Sequence, residues 1–189
     1  MSGYGLPTSA ELGGRPYSIR SDYRAVLDVL GVMGDGETGD DERTIVALSI
    51  FYEDFDSMPN SVMRDAVAYM QWFINGGDEP DMRPKPKLMD WEQDFPLIVA
   101  PVNRIVGKEI RAMEYLHWWT FLAAYREIGD CLFAQVVSIR KQMREGKKLD
   151  KADKRFYNEN RALVDFKTKL GASDLEGLDL WIGGARKDV

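Results

Sequence analysis

A chain of 189 residues, 44% hydrophobic and 30% charged, has enough apolar material for one domain with a substantial core and is too apolar for wholesale disorder. Its single cysteine and single histidine exclude a four-cysteine, a two-cysteine two-histidine or a multi-histidine metal centre. The net charge of -6 argues against sequence-independent nucleic-acid binding, which needs a basic surface to neutralise phosphates.

Residues 1–9 are small and turn-rich and read as a flexible start. Ala10 to Arg20 predicts a β-hairpin in which Gly13-Gly14 supply the positive φ of a two-residue turn, and Pro16 confines the second strand to an edge. Ser21 is the expected cap of a first helix, whose Tyr23, Val26, Leu27, Leu30 and Met33 follow helical spacing, with Gly31 and Gly34 marking its fraying end. After the acidic loop Asp35 to Asp41, a second helix runs through Ile45, Leu48, Ser49 and Tyr52. A third begins near Asn60, shows Val62, Ala66, Tyr69, Met70 and Phe73 on one face, and ends at Gly76-Gly77.

Pro80, Pro84 and Pro86 among charges make residues 76–89 an exposed linker. Asp90 and Gln93 resemble a capping box that opens a helix with Phe95, Ile98, Val102 and Ile105 in register. Pro101 lacks a backbone donor and predicts a kink or a break there. Three more helices are expected at about 113–128, 130–145 and 150–170, the last opened by Asp150. The expected fold is all-α: a single domain of six to seven packed helices with a short N-terminal β-hairpin. An extension over 171–189 carries Leu175, Leu178, Leu180, Trp181 and Ile182, which dock either on the chain's own body or on a partner.

The stretch Tyr115-Leu116-His117-Trp118-Trp119-Thr120-Phe121 crowds four aromatic residues around the one histidine. Successive helical residues are rotated by about 100°, so adjacent tryptophans cannot share one narrow stripe and one ring must reach a second surface. Trp72, Trp91 and one of the pair are assigned to the core; the other indole is an interface candidate, because tryptophan anchors interfaces. His117, one turn from Glu114 on a helix, has no nucleophile, metal partner or second titrating group beside it and reads as a structural hydrogen-bonding residue. Glu92 with Asp94, and Asp40-Asp41-Glu42, read as charges favoured at helix N-termini. Asp35 to Asp41 lacks the spacing of a calcium loop, and the P-loop and G-x-S-x-G motifs are absent. The expectation is a binding or assembly protein, not an enzyme, with no catalytic, cofactor-binding or metal-binding residue.

Cys131 reads as a small core residue. No apolar run approaches the roughly 20 residues of a membrane span and no secretory leader is recognised, so a cytoplasmic protein without membrane contact is expected. Charge is uneven: residues 1–82 carry 15 acids and 5 bases, residues 140–169 carry 11 bases and 5 acids. Such a molecule can stack head to tail or steer a charged partner, although solvated helix faces give the same pattern.

Trp91-Glu92-Gln93-Asp94-Phe95 and Tyr115-Leu116-His117-Trp118-Trp119-Thr120-Phe121 resemble blocks of a bacteriophage family called gene product fifteen. The hairpin Glu11 to Arg20 with Ser21-Asp22-Tyr23-Arg24 is similar to that family's opening, Trp72-Phe73-Ile74-Asn75-Gly76-Gly77 to its middle, and Asp153-Lys154-Arg155-Phe156-Tyr157 to its closing helix. The resemblance covers roughly residues 6–166 and stops short of Trp181. It implies a role in virion morphogenesis: a tail assembly chaperone in the host cytoplasm, absent from the mature virion. Such a chaperone keeps the tape measure protein soluble while tail tube protein polymerises around it. The implied partners are the tape measure protein, the tail tube protein and further copies of the chain. Partner-binding candidates are His117, Trp118, Trp119 and Trp181. The alternative is a structural head-tail connector or minor tail protein retained in the virion, which calls for a closed ring and a large apolar self-interface.

Overall fold

The computed structural model describes residues 5–79, 83 and 86–167. Gly13 and Gly14, with φ of 59° and 77°, turn the chain between β1 (Ser9–Leu12) and β2 (Arg15–Ser18). The strands pair antiparallel with Leu12 opposite Arg15 and Ser9 opposite Ser18. Alternation along them turns Ala10, Leu12 and Tyr17 inward, where they are buried.

Eight α-helices follow among the described residues: α1 (Tyr23–Met33), α2 (Asp40–Phe51), α3 (Met63–Ile74), α4 (Trp91–Val106), α5 (Trp118–Arg126), α6 (Leu132–Arg144), α7 (Lys151–Glu159) and α8 (Arg161–Val164). The hairpin and α1 to α5 enclose the main core, which Phe133 of α6 completes; α6 and α8 close a smaller one around Val136, Ile139 and Val164. Helix α4 joins them, packing on α1 and α5 and also on α6. No helix among the described residues is long and apolar enough to cross a membrane.

Several local expectations change under tertiary contacts. Asp22, not Ser21, caps α1, its carboxylate accepting from Arg24 N at 3.0 Å; Ser21 instead turns inward to Tyr115 Oη at 2.7 Å. Helix α4 runs 16 residues through both Pro96 and Pro101, without the predicted break. Burial of Ile98, Val99 and Val102 around Pro101 holds the helix together although Leu97 O loses its ladder donor. The linker's end is not exposed: Leu88 and Met89 are half-buried, and Leu88 O accepts from Arg140.

Helix α5 begins at Trp118, not near residue 113. The preceding backbone is claimed by the segment before α1: Leu116 N donates to Asp22 Oδ2 at 2.9 Å, Leu116 O accepts from Tyr23 N at 2.9 Å, and Trp118 N donates to Ser21 O at 2.8 Å. The expected 150–170 helix breaks at Asn160, whose side chain donates back to Phe156 O, leaving α7 and α8.

One buried ion pair spans these pieces. Asp94 of α4 and Arg140 of α6 meet through two bonds, Nη1 to Oδ2 at 2.6 Å and Nη2 to Oδ1 at 3.0 Å. Arg140 also donates to Val164 O, Leu163 O and Leu88 O, so its five N–H groups all have acceptors.

Candidate functional site

The Asp90 side chain accepts from Glu92 N and Gln93 N, which fixes the first turn of α4. The reciprocal bond expected from Gln93 is made by Asp94, whose Oδ2 accepts from Asp90 N. Gln93 is thereby left to clamp the chain's last described turn, donating to Asp165 O and accepting from Lys167 N. Trp91 and Phe95, four residues apart, lie on one face of α4.

That face meets Leu27 and Gly31 of α1, also four apart, and with Ile50 of α2 they line an apolar groove of about 520 Å³. Asp28 and Glu92 stand on its rim. Through Gly31, Trp91 and Glu92 the groove continues into a smaller depression of about 140 Å³ that reaches Leu30, Lys87 and Met89. A Cβ added at Gly31 would meet nothing within 4 Å, so this helical glycine is a gap in the groove wall and not a packing requirement.

Aromatic rings form the floor. Trp91 meets Trp118 edge-on with centroids 5.9 Å apart and Tyr125 at 5.0 Å. Phe95 stacks on Tyr23 at 6.3 Å, and Tyr23 on Phe121 at 5.0 Å. Trp118 and Phe121 of the His-Trp-Trp-Thr-Phe stretch therefore support the groove from behind.

The adjacent tryptophans do reach two different surroundings. Trp118 is 1% exposed and its indole N–H donates to Ile74 O; Trp119 is half-buried against Trp72 and donates to Phe73 O. Both indoles thus bond carbonyls in the last turn of α3: Trp118 takes Ile74 O, left over by the helix ladder, and Trp119 adds a second donor to Phe73 O, which also accepts from Gly76 N at 3.0 Å. Gly77, at φ +91°, passes so close that a Cβ there would lie 3.0 Å from the Trp119 ring.

His117 is 3% exposed and caps α5. Trp119 N donates to its Nδ1 at 3.0 Å, so the proton sits on Nε2, which donates to Pro7 O at 3.0 Å. Burial pushes its pKa below the ordinary 6.5, against the smaller upward pull of the Pro7 carbonyl. A proton on Nδ1 would also break the cap and put a cation at the positive end of α5. The unfolded state therefore takes up the proton first as pH falls. His117's contribution to stability is complete above about pH 6.5 and drains away between that pH and its lower folded value. Urea midpoints measured from pH 7.5 to 5 should fall on the acid side, and His117→Asn, which keeps a capping acceptor, should flatten that part of the profile.

Among the partner-binding candidates, then, His117 and Trp118 face inward, Trp119 keeps part of its ring at the surface, and Trp181 lies outside the described residues. Burial leaves His117 and Trp118 no surface to offer in this fold. Glu114 is not one helical turn from His117, because that segment is extended. The groove residues were not anticipated as a site: Gly31 reads as a helix end and Trp91 as core. The available signal was the i, i+4 pairing of Leu27 with Gly31 and of Trp91 with Phe95.

The family model described as Bacteriophage Gp15 protein matches residues 4–166 of the chain. Comparison with curated proteins and with solved structures finds no match.

Proposed function

The chain belongs to the bacteriophage Gp15 protein family, and on that premise we propose that it is a tail assembly chaperone that binds the tape measure protein. The observation that supports this reading is the open α1–α4 groove, with its aromatic floor and its acidic rim at Asp28 and Glu92. A long, largely helical, apolar partner needs its apolar stripe covered, and such a groove accepts an amphipathic helix flanked by basic side chains. Several copies bind along one tape measure, each weakly enough to be displaced by tail tube protein in the host cytoplasm.

The test is co-expression with the tape measure protein of the same genome, followed by affinity capture and sizing, with Gly31→Leu as the probe. A leucine there fills the groove from a position with open space around it. Capture is expected to drop at least tenfold, while folding stability holds or rises, since a glycine inside a helix costs up to about 1 kcal/mol relative to a good helix former, less in the last turn where Gly31 lies. Undiminished capture by Gly31→Leu would remove the groove from the reading. A tape measure that stays insoluble, beside a discrete ring of this chain alone, would replace it with the structural head-tail connector or minor tail protein.

A further inference from the structure

A second apolar groove, of about 650 Å³, lies between α5 and α6. Met89, Tyr125, Phe133 and Val137 line it, and its charged residues, Arg126 and Lys141, are basic and exposed. We propose that its occupant is the chain's own segment Asp174–Ile182.

Charge complementarity favours this groove over the α1–α4 groove for such a segment. Asp174, Glu176 and Asp179 interleave there with Leu175, Leu178, Leu180, Trp181 and Ile182, and no base occurs between residues 170 and 185. An acidic, apolar segment is repelled by the α1–α4 groove, rimmed by Asp28 and Glu92, and attracted by one bounded by Arg126 and Lys141. Arg126 has an exposed carboxylate, Asp78, at 3.9 Å, a separation at which a second acid competes readily.

The place where the described chain ends points the same way. Lys167 N donates to Gln93 Oε1, and the Phe166 ring lies 4.2 Å over the guanidinium of Arg140, the residue before Lys141 in α6. Residues 168–173 intervene before Asp174 and span up to about 20 Å when extended. Arg140 and Val137, three residues apart in α6, lie only about 60° from each other around its axis, so this length suffices to pass from one to the other. The family match stops at residue 166, so the segment lies outside the matched residues.

Hydrogen exchange on the full-length free protein tests this without any tape measure protein. Amides of 87–90 and 132–138 are expected to exchange at least fivefold faster in Trp181→Asp than in the wild type. Lys141→Glu, an exposed change that leaves the apolar lining intact, should produce the same acceleration, and adding Asp179→Lys to it should restore slow exchange. Identical exchange in the wild type and Trp181→Asp would overturn the proposal. Protection that grows with protein concentration, alongside a dimer on sizing, would overturn it too, by assigning the groove to the segment of a second copy.

Discussion

Asp94→Ala is expected to lower folding stability by about 3–5 kcal/mol, because it leaves the Arg140 guanidinium buried without its counter-charge. The two side chains are 1% and 4% exposed, so water cannot replace the lost carboxylate. The effect should extend beyond one contact. Arg140 holds Leu163 O and Val164 O of α8 and Leu88 O ahead of α4, so a displaced guanidinium loosens three segments together. Arg140→Met should cost a comparable amount, leaving Asp94 with only its bond from Asp90 N. The double variant Asp94→Leu/Arg140→Met should be more stable than either single change, since no lone charge stays buried. It should not regain the wild-type value, because the three carbonyls lose their donor. Urea unfolding of the four proteins checks this; single variants within about 1 kcal/mol of the wild type would show that the pair is not essential to the fold.

Trp118→Ala should be equally damaging, at about 3–5 kcal/mol, since it empties the space beneath the groove and orphans the Ile74 carbonyl. Trp118→Phe keeps most of the ring's contacts with Trp91 and Phe121 and should cost roughly half as much. The comparison bears on the proposed function as well. A Trp118→Ala protein that no longer captures a partner reports a collapsed floor and not a lost contact. Thermal unfolding beside capture separates the two: Trp118→Ala should lose both, and Gly31→Leu only capture. A Trp118→Ala protein with wild-type stability would contradict the packing described above.

The elements legible in the sequence are those built from neighbours in the chain. The hairpin needs only Gly13-Gly14 between two short apolar alternations, and α1, α3 and α6 follow helical spacing, whereas α2 forms where expected but buries Ala47, Leu48 and Phe51 and leaves Ile45 and Ser49 exposed. The errors have one physical cause, partners far away in sequence. Helix α5 starts late because Asp22, 94 residues before Leu116, takes the Leu116 amide. Asp94 reads locally as a charge favoured by the helix dipole, since nothing near it indicates that Arg140, 46 residues on, will neutralise it. The expected helix after Asp150 is divided at Asn160, and beyond that break Arg140 takes two carbonyls of α8.

By itself, the sequence determined the all-α class, the hairpin and the membership in a phage protein family, because periodicity, turn residues and motifs are properties of short segments. Only the tertiary structure decided the inside and outside of the aromatic set. Tyr115-Leu116-His117-Trp118-Trp119 has the same composition whether it anchors a partner or seals a core. Here the Ile74 and Phe73 carbonyls of α3, the backbone of residues 21–23 and the rings of Trp72 and Trp91 hold Leu116, His117 and Trp118 inside and half-bury Trp119, while Tyr115 stays exposed. The open groove is left to Leu27, Gly31, Ile50, Trp91 and Phe95, whose i, i+4 spacing is equally that of an ordinary core face. Which apolar residues stay accessible depends on what three helices leave uncovered when they pack, and no single helix carries that information.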